Sequence, residues 1–419
     1  MESENLKSGK IPGYSWYALG LLTLIYVMNF VDRVLIYLLF APIKKEMLFT
    51  DLQLALLGST SFVIFYTLLG IPFGRMADKV SRKKLIAFGL TVWSVFSGLT
   101  GFADSFWTIF FCRMMVGIGE ATLGPAALSL LSDYFPSRIR ATVQAVFSSA
   151  IAVGTGVAFF FGGWISDLMG WRFAFYFLGF PGLLLVLLVL MLKEPKRGIS
   201  DTPVQKEKTD WRLLLKNVPL RYILFGYAFF AVASNSVSIW LPTFFVRAQG
   251  LNVADTGFWI GIGTVAGGLP GTILGGYFAD KFHNRREGGR MIFTSILALI
   301  CIPIWLLILF SSNVAFQFVL ISLLLGLALS WLGAAAADVN DIAGPNLRGL
   351  AVGLYFFVVN VIGYGIAPPL YGKVNDVMGV TQNPAFMKYT LLISPVACLI
   401  AGIILYAGSR KLEKKNGTV

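Results

Sequence analysis

Apolar runs of about 18 to 25 residues recur along the chain, each long enough to cross a bilayer as a helix. They predict spans at 16–39, 52–73, 85–103, 106–131, 140–164, 172–192, 218–241, 256–278, 291–310, 314–336, 349–371 and 387–407. The first span follows a short polar start without a small-residue cleavage site, so it is expected to stay as an anchor and not be removed as a signal peptide. Residues 193–217 (KEPKRGISDTPVQKEKTDWRLLLKN) form the only long polar stretch between spans. The pattern predicts an all-α integral membrane protein of twelve transmembrane helices in two six-helix bundles. Those bundles would cover 1–192 and 218–419, with 193–217 as linker and a short tail at the end.

Composition agrees with that pattern. The chain is 57% hydrophobic and 13% charged, with a mean hydropathy of +0.75, far from soluble domains. A net charge of +13 could suggest nucleic acid, but the placement of Lys and Arg argues against it. They gather in alternate loops: Arg75 to Lys84, Arg138 and Arg140, Lys193 to Lys216, Lys281 to Arg290, Arg348, and Arg410 to Lys415. The opposite loops hold only Lys44, Lys45, Arg172, Arg247, Lys373 and Lys388. This positive-inside bias predicts cytoplasmic termini, in what is expected to be a bacterial inner membrane. Cys112, Cys301 and Cys398 all fall in apolar spans and read as small core residues; no disulfide framework or zinc spacing is visible.

The halves repeat at a distance of about 200 residues, the mark of a duplicated architecture. Gly74-Arg-Met-Ala-Asp78-Lys79 is echoed by Gly276-Tyr-Phe-Ala-Asp280-Lys281, each after the second span of its half. Asp133 to Arg140 is echoed by Asp341 to Arg348 with the same Asp-to-Arg spacing after the fourth span. Two parallel six-helix halves joined by a linker describe a transporter with its substrate site between the halves, near the midplane.

Charges inside the spans point to that site. Asp32 and Arg33 sit side by side in the first span, and Arg113 and Glu120 in the fourth. An ionisable group in hydrocarbon is costly, so it faces a protein interior or a cavity and marks a path. Arg113 and Glu120 are seven residues apart, so they share a helix face about 10 Å apart along the axis. Gly117 and Gly119 between them keep that face low. Asp32–Arg113 and Arg33–Glu120 contacts are both within reach. Either they form a static ion-pair network, or the carboxylates Glu120 and Asp32 carry protons while Arg33 and Arg113 grip an anionic headgroup. The second half is expected to hold no charge at equivalent depth. Its cavity candidates are uncharged: Asn235, Trp331, Tyr355, Asn360 and Tyr364. Pro242, Pro270, Pro303, Pro368 and Pro369 are expected to break or kink its helices.

GRMADKVSRKK resembles the loop signature between helices 2 and 3 of the major facilitator superfamily, with Gly74, Asp78, Arg82 and Lys83 at the expected positions. Arg113-Met-Met-Val-Gly117-Ile-Gly119-Glu120 resembles its fourth-helix pattern. NFVDRVLI, RMMVGIGEA, SDYFPSRIRATVQAVFSSAIAVGTG and GWRFAFYFLGFPGLLL leading to KEPKRG resemble the Spinster-type lipid transporters within that superfamily. The organic-anion/proton symporters share the Asp-Arg and Glu-Ala items, so the helix 5–6 stretch carries the distinction. The resemblance implies alternating access, proton coupling, and a lysophospholipid or sphingoid phosphate as substrate. The alternative is a proton-coupled transporter of a small organic anion or drug. It also implies an inner gate in which Asp78 meets the start of helix 11 near Arg348 and Gly349, and Arg82 or Lys83 meets Asp133. Gly74 is expected to turn the chain sharply, and Asp280 stands at the Asp78 position of the second copy. A monomer without cofactor or metal is expected. No Ser-His-Asp set or ATP-binding loop is visible, and the single histidine, His283, falls in a polar loop, so ion gradients remain as the energy source.

Overall fold

A computed structural model describes residues 11–136, 139–195, 214, 217–343 and 347–416. The first half contains α1 (Gly13–Leu38), α2 (Phe40–Met47), α3 (Asp51–Ala55), α4 (Ser61–Ala77) and α5 (Arg82–Thr100). It continues with α6 (Phe106–Glu120), α7 (Leu123–Tyr134), α8 (Arg140–Met169), α9 (Trp171–Gly179) and α10 (Gly182–Leu190). The second half contains α11 (Val218–Ile239), α12 (Leu241–Arg247), α13 (Val253–His283), α14 (Gly289–Phe310) and α15 (Val314–Leu329). After these come α16 (Trp331–Ala343), α17 (Arg348–Asn360), α18 (Ala367–Val377), α19 (Met387–Thr390) and α20 (Ile393–Asn416). Eleven stretches among the described residues are long and apolar enough to cross a membrane, and the 19-residue α5 joins them to make the twelve of the expected fold.

Many spans consist of two helices in series, and the sequence says why. Pro125 in the first turn of α7, Pro181 before α10, Pro242 at the start of α12 and Pro368 at the start of α18 lack the N–H that would continue the preceding ladder. Pro270 and Pro303 instead lie inside the unbroken helices α13 and α14. Two short π-helical segments, Leu56–Thr60 and Val361–Ile366, interrupt the second span of the first half and the fifth span of the second. They touch across the halves, where Thr60 Oγ1 donates to the Gly365 carbonyl at 3.0 Å. Bulky apolar side chains such as Leu184, Ile273 and Val319 point outward, as a lipid-facing surface requires, while Trp93, Trp240 and Trp305 are fully buried.

The halves are joined on the face opposite the linker, here called the far face. A capping box at Thr50 starts α3 and orients Asp51. Asp51 is fully buried and accepts from Lys44 Nζ at 2.6 Å and from Arg247 Nη1 at 2.9 Å to each oxygen. The backbone N–H groups of Asp51 and Leu52 donate to Asp376 at 2.9 and 3.0 Å, so a carboxylate of the second half caps a helix of the first. The Ala254 N–H donates to Asp167 at 2.8 Å.

On the linker face the ion pairs run within a half. Arg82 pairs with Asp133 and with Glu194 (3.1 Å), and Lys83 donates to the Leu190 and Leu192 carbonyls at 3.0 and 2.7 Å. Burial opposes the charge of Glu194, but hydrogen bonds from Ser81 and from the Arg82 backbone and side chain outweigh it and hold its carboxyl below the usual range. In the second half, Arg290 pairs with Asp280 at 2.9 Å and Asp341 at 2.6 Å.

One expectation for this face is corrected, and another falls on residues outside those described. Gly74 does not turn the chain: it lies inside α4, its φ is not positive, and an added Cβ would only reach Pro125 at 3.9 Å. Asp78 is exposed and has no ion-pair partner among the described residues. The side chains of Arg348 and Gly349, its expected neighbourhood, lie outside the described residues, as does most of the 193–217 linker.

Candidate functional site

The first-half charges meet where α1 crosses α6. Gly117 and Gly119 seat α6 tightly against its other neighbours: a Cβ at Gly117 would stand 2.5 Å from the Phe62 carbonyl of α4, and one at Gly119 2.7 Å from the Gly89 carbonyl of α5. Backbones therefore touch, and Glu120, at the end of α6, is pressed inward to 1% exposure.

Arg33 Nη2 and Nε both donate to Glu120 Oε2, at 2.8 and 3.1 Å, as the spacing suggested. The other carboxylate oxygen, Oε1, is buried without a hydrogen-bond partner. The Arg33 guanidinium is also walled by three rings, Phe30, Phe62 and Tyr66, each 4.7 to 4.8 Å away. Such cation–π contacts hold a half-buried cation, each for about 0.5–2 kcal/mol. The cage joins two spans, so the sequence shows only its local halves: Phe30 three residues before Arg33 in α1, and Phe62 and Tyr66 four apart in α4.

The Asp32–Arg113 contact forms differently from expectation. Arg113 is fully buried, and its Nη1 donates to the Asp32 backbone carbonyl at 2.9 Å and Nη2 to that of Arg33 at 3.4 Å. The Asp32 carboxylate faces the other way and accepts from Ser97 Oγ at 2.6 Å. Arg113 thus braces the α1 backbone, and Arg33 alone of the two arginines reaches open space.

That space is a cavity between the halves. Arg33, Phe30 and Tyr37 line it from the first half, and Ser234, Asn235 and Tyr364 from the second. Asn235 and Tyr364 are where the sequence suggested. Trp331 and Tyr355 are not: they are 4% and 2% exposed and pack inside the second half around Tyr227. Asn360 is half-buried and outside the lining. The second half is also not free of buried charge. Helix α16 runs to Ala343, past the expected end at 336, and takes Asp338 into the interior at 5% exposure.

A bundle of bilayer-length helices, closed on one face around a cavity with a caged arginine and a dry carboxylate, is a membrane transporter for a small-molecule substrate. The chain belongs to the Major Facilitator Superfamily, whose model matches residues 22–368. It is 27% identical to an MFS-type efflux pump of Mycolicibacterium smegmatis, covering 94% of this chain and 92% of that one. It is 25% identical to the sphingosine-1-phosphate transporter of Danio rerio, covering 93% and 83%. A solved bacterial homologue of the human lysosomal transporter Spinster, in an inward-facing and unoccupied conformation, superposes with a TM-score of 0.84 at 25% identity, covering 96% and 98%. The protein is therefore an integral membrane transporter related to Spinster, in a family of transporters and not of enzymes.

Proposed function

We propose that the protein moves an amphipathic lipid with an anionic headgroup, such as a lysophospholipid or sphingoid phosphate, by alternating access coupled to protons. The observation that carries this reading is that one arginine serves two neighbours: Arg33 lines the cavity while bonded to Glu120. With Glu120 ionised, Arg33 is held by its carboxylate. A proton taken up on Glu120, where Oε1 has no partner, neutralises that hold and frees the guanidinium fork for phosphate. Proton and headgroup then favour each other's binding, and the linkage is reciprocal. Asp32 stands one residue away as the reserve carboxylate. The opposite wall, with Ser234, Asn235, Leu325 and Leu329, is weakly polar and apolar and suits the remainder of a lipid. The relative that transports sphingosine-1-phosphate supports the same substrate class.

The Lys and Arg bias puts the linker face and both termini in the cytoplasm. With that orientation the far face is the outer side, and the structure is shut toward it. The exposed Asp78, without an ion-pair partner among the described residues, then belongs to a clamp that forms when the linker face closes, with Gly74, Arg82, Lys83, Asp133 and Asp280 as its supports.

Thermal shifts of detergent-purified protein with lysophosphatidic acid, sphingosine phosphate and small dicarboxylates test the substrate class. A ligand at about 100 times its Kd stabilises by about 2.7 kcal/mol. The lipids should raise Tm and the small acids should not. A shift with small acids alone would replace the lipid reading by that of an organic-anion transporter.

A further inference from the structure

We propose that Asp338 is a second proton-binding site of this transporter, loaded from the linker face and read at the central cavity through Tyr227 and Trp331. The inference goes beyond the Glu120 site and borrows from it only the proton as coupling ion.

The first support is the charge balance around Arg290. Three carboxylates surround this one guanidinium: Asp280 from α13, and Asp338 and Asp341 from α16. Asp280 and Asp341, with half or more of their side chains exposed, take its direct bonds at 2.9 and 2.6 Å. The buried one does not: Asp338 Oδ1 is 3.9 Å from Arg290 Nη1, beyond hydrogen-bond reach. Its one direct donor among the described residues is neutral, the Tyr227 hydroxyl from α11, at 2.8 Å to Oδ2. Other titratable groups around it are Tyr355 from α17, against the Tyr227 ring, and His283 at the end of α13, 3.8 Å from Asp341. Helix α15 brings none. A dry carboxyl with one neutral donor among the described residues, a cation held 3.9 Å off and shared with two other carboxylates, is placed to take up a proton.

The second support is what the carboxyl touches. The Tyr227 ring stacks on Trp331 with centroids 5.6 Å apart and planes at 20°. Trp331 Nε1 donates to Ser234 Oγ at 3.4 Å, and Ser234 lines the cavity. A continuous line of contacts therefore runs from the cavity wall through Ser234, Trp331 and Tyr227 to Asp338. It ends at the Arg290 cluster on the linker face. Proton uptake at Asp338 changes it from acceptor only to donor and acceptor, weakens its pull on Arg290, and alters the bond that ties α11 to α16.

Infrared difference spectra of the full-length protein in lipid nanodiscs, stepped from about pH 8 to about pH 5, report carboxyl protonation without needing a substrate. The wild type should gain a protonated-carboxyl carbonyl band that is missing in Asp338→Asn and moved to higher frequency in Tyr227→Phe, where the hydroxyl donor is gone. Glu120→Gln should leave that band in place. If Asp338→Asn keeps every carboxyl band of the wild type, or Tyr227→Phe moves none, the site is refuted. Where Asp338→Asn does not fold, the Tyr227→Phe spectrum decides alone. Loss of a carboxyl band in Asp338→Asn but none in Glu120→Gln would support this site while overturning proton loading at Glu120; the reverse would overturn this site alone.

Discussion

Replacing Arg247 by alanine should open the far face. Arg247 is the cation of the second half that reaches Asp51, giving 2.9 Å contacts to both oxygens and a 3.0 Å bond to the Val380 carbonyl. Breaking a buried ion pair costs about 3–5 kcal/mol when the remaining charge is stranded. Here Lys44 stays on Asp51 at 2.6 Å, so the loss falls near a single charge-assisted bond, about 2 kcal/mol, or about 30-fold in a population ratio. The cost falls almost wholly on the far-closed state, because opening puts Asp51 in water whatever stands at position 247. Spin labels at the exposed positions Lys45 and Gln382, one in each half, read the far-face separation by pulsed electron resonance. The three native cysteines are buried and compete little for label. The wild type should give one short distance, and Arg247→Ala a second, longer component of comparable or larger weight. An unchanged distribution would show that this ion cluster does not hold the far face shut.

Three further outcomes follow from the same geometry. Asp78→Asn should leave folding intact and, in the same resonance experiment, deplete any far-open component, since it removes the proposed linker-face clamp; an unchanged ratio removes Asp78 from the mechanism. Arg33→Lys keeps the charge but loses the fork and much of the ring stacking, so lysophosphatidic acid should bind about tenfold more weakly by microscale thermophoresis while the melting temperature holds; equal affinity would make Arg33 structural. Glu194→Gln should destabilise the linker-face packing by about 1 kcal/mol at neutral pH. Because the folded-state carboxyl lies below its ordinary range, that stabilisation is present above about pH 4.3 and fades as pH falls through the depressed value, so melting curves of wild type and variant should converge in acid. A gap in melting temperature that persists in acid would refute the assignment.

The sequence disclosed the first-half site because a charged residue inside an apolar run is conspicuous, and seven-residue spacing fixes a helix face. Arg33 and Glu120 meet accordingly; the Arg82–Asp133 pair is the one that the family resemblance implied. What stayed hidden depends on where chains converge. The Phe30, Phe62 and Tyr66 rings around Arg33 come from spans whose mutual rotation no local pattern records. Ser97 as the partner of Asp32 is equally silent, since a serine in an apolar run has many possible roles. Asp338 was passed over because hydropathy falls before α16 ends, so a buried residue looked like the start of a loop. Trp331 and Tyr355 were assigned to the cavity by their chemistry, yet large rings bury more apolar area by packing on Tyr227 than by facing an open cavity. Gly74 shows the opposite error: a glycine in a motif need not turn the chain, and here the helix simply continues through it.

The central claim is that Glu120 carries the proton that drives transport, and flux in proteoliposomes tests it most directly. Labelled lysophosphatidic acid is offered to vesicles holding wild type or Glu120→Gln, once with an imposed pH gradient and once as counterflow exchange without one. The account predicts that wild type accumulates the lipid against its gradient, and that Glu120→Gln loses this accumulation while still exchanging. Accumulation by Glu120→Gln with the pH dependence of the wild type would contradict it.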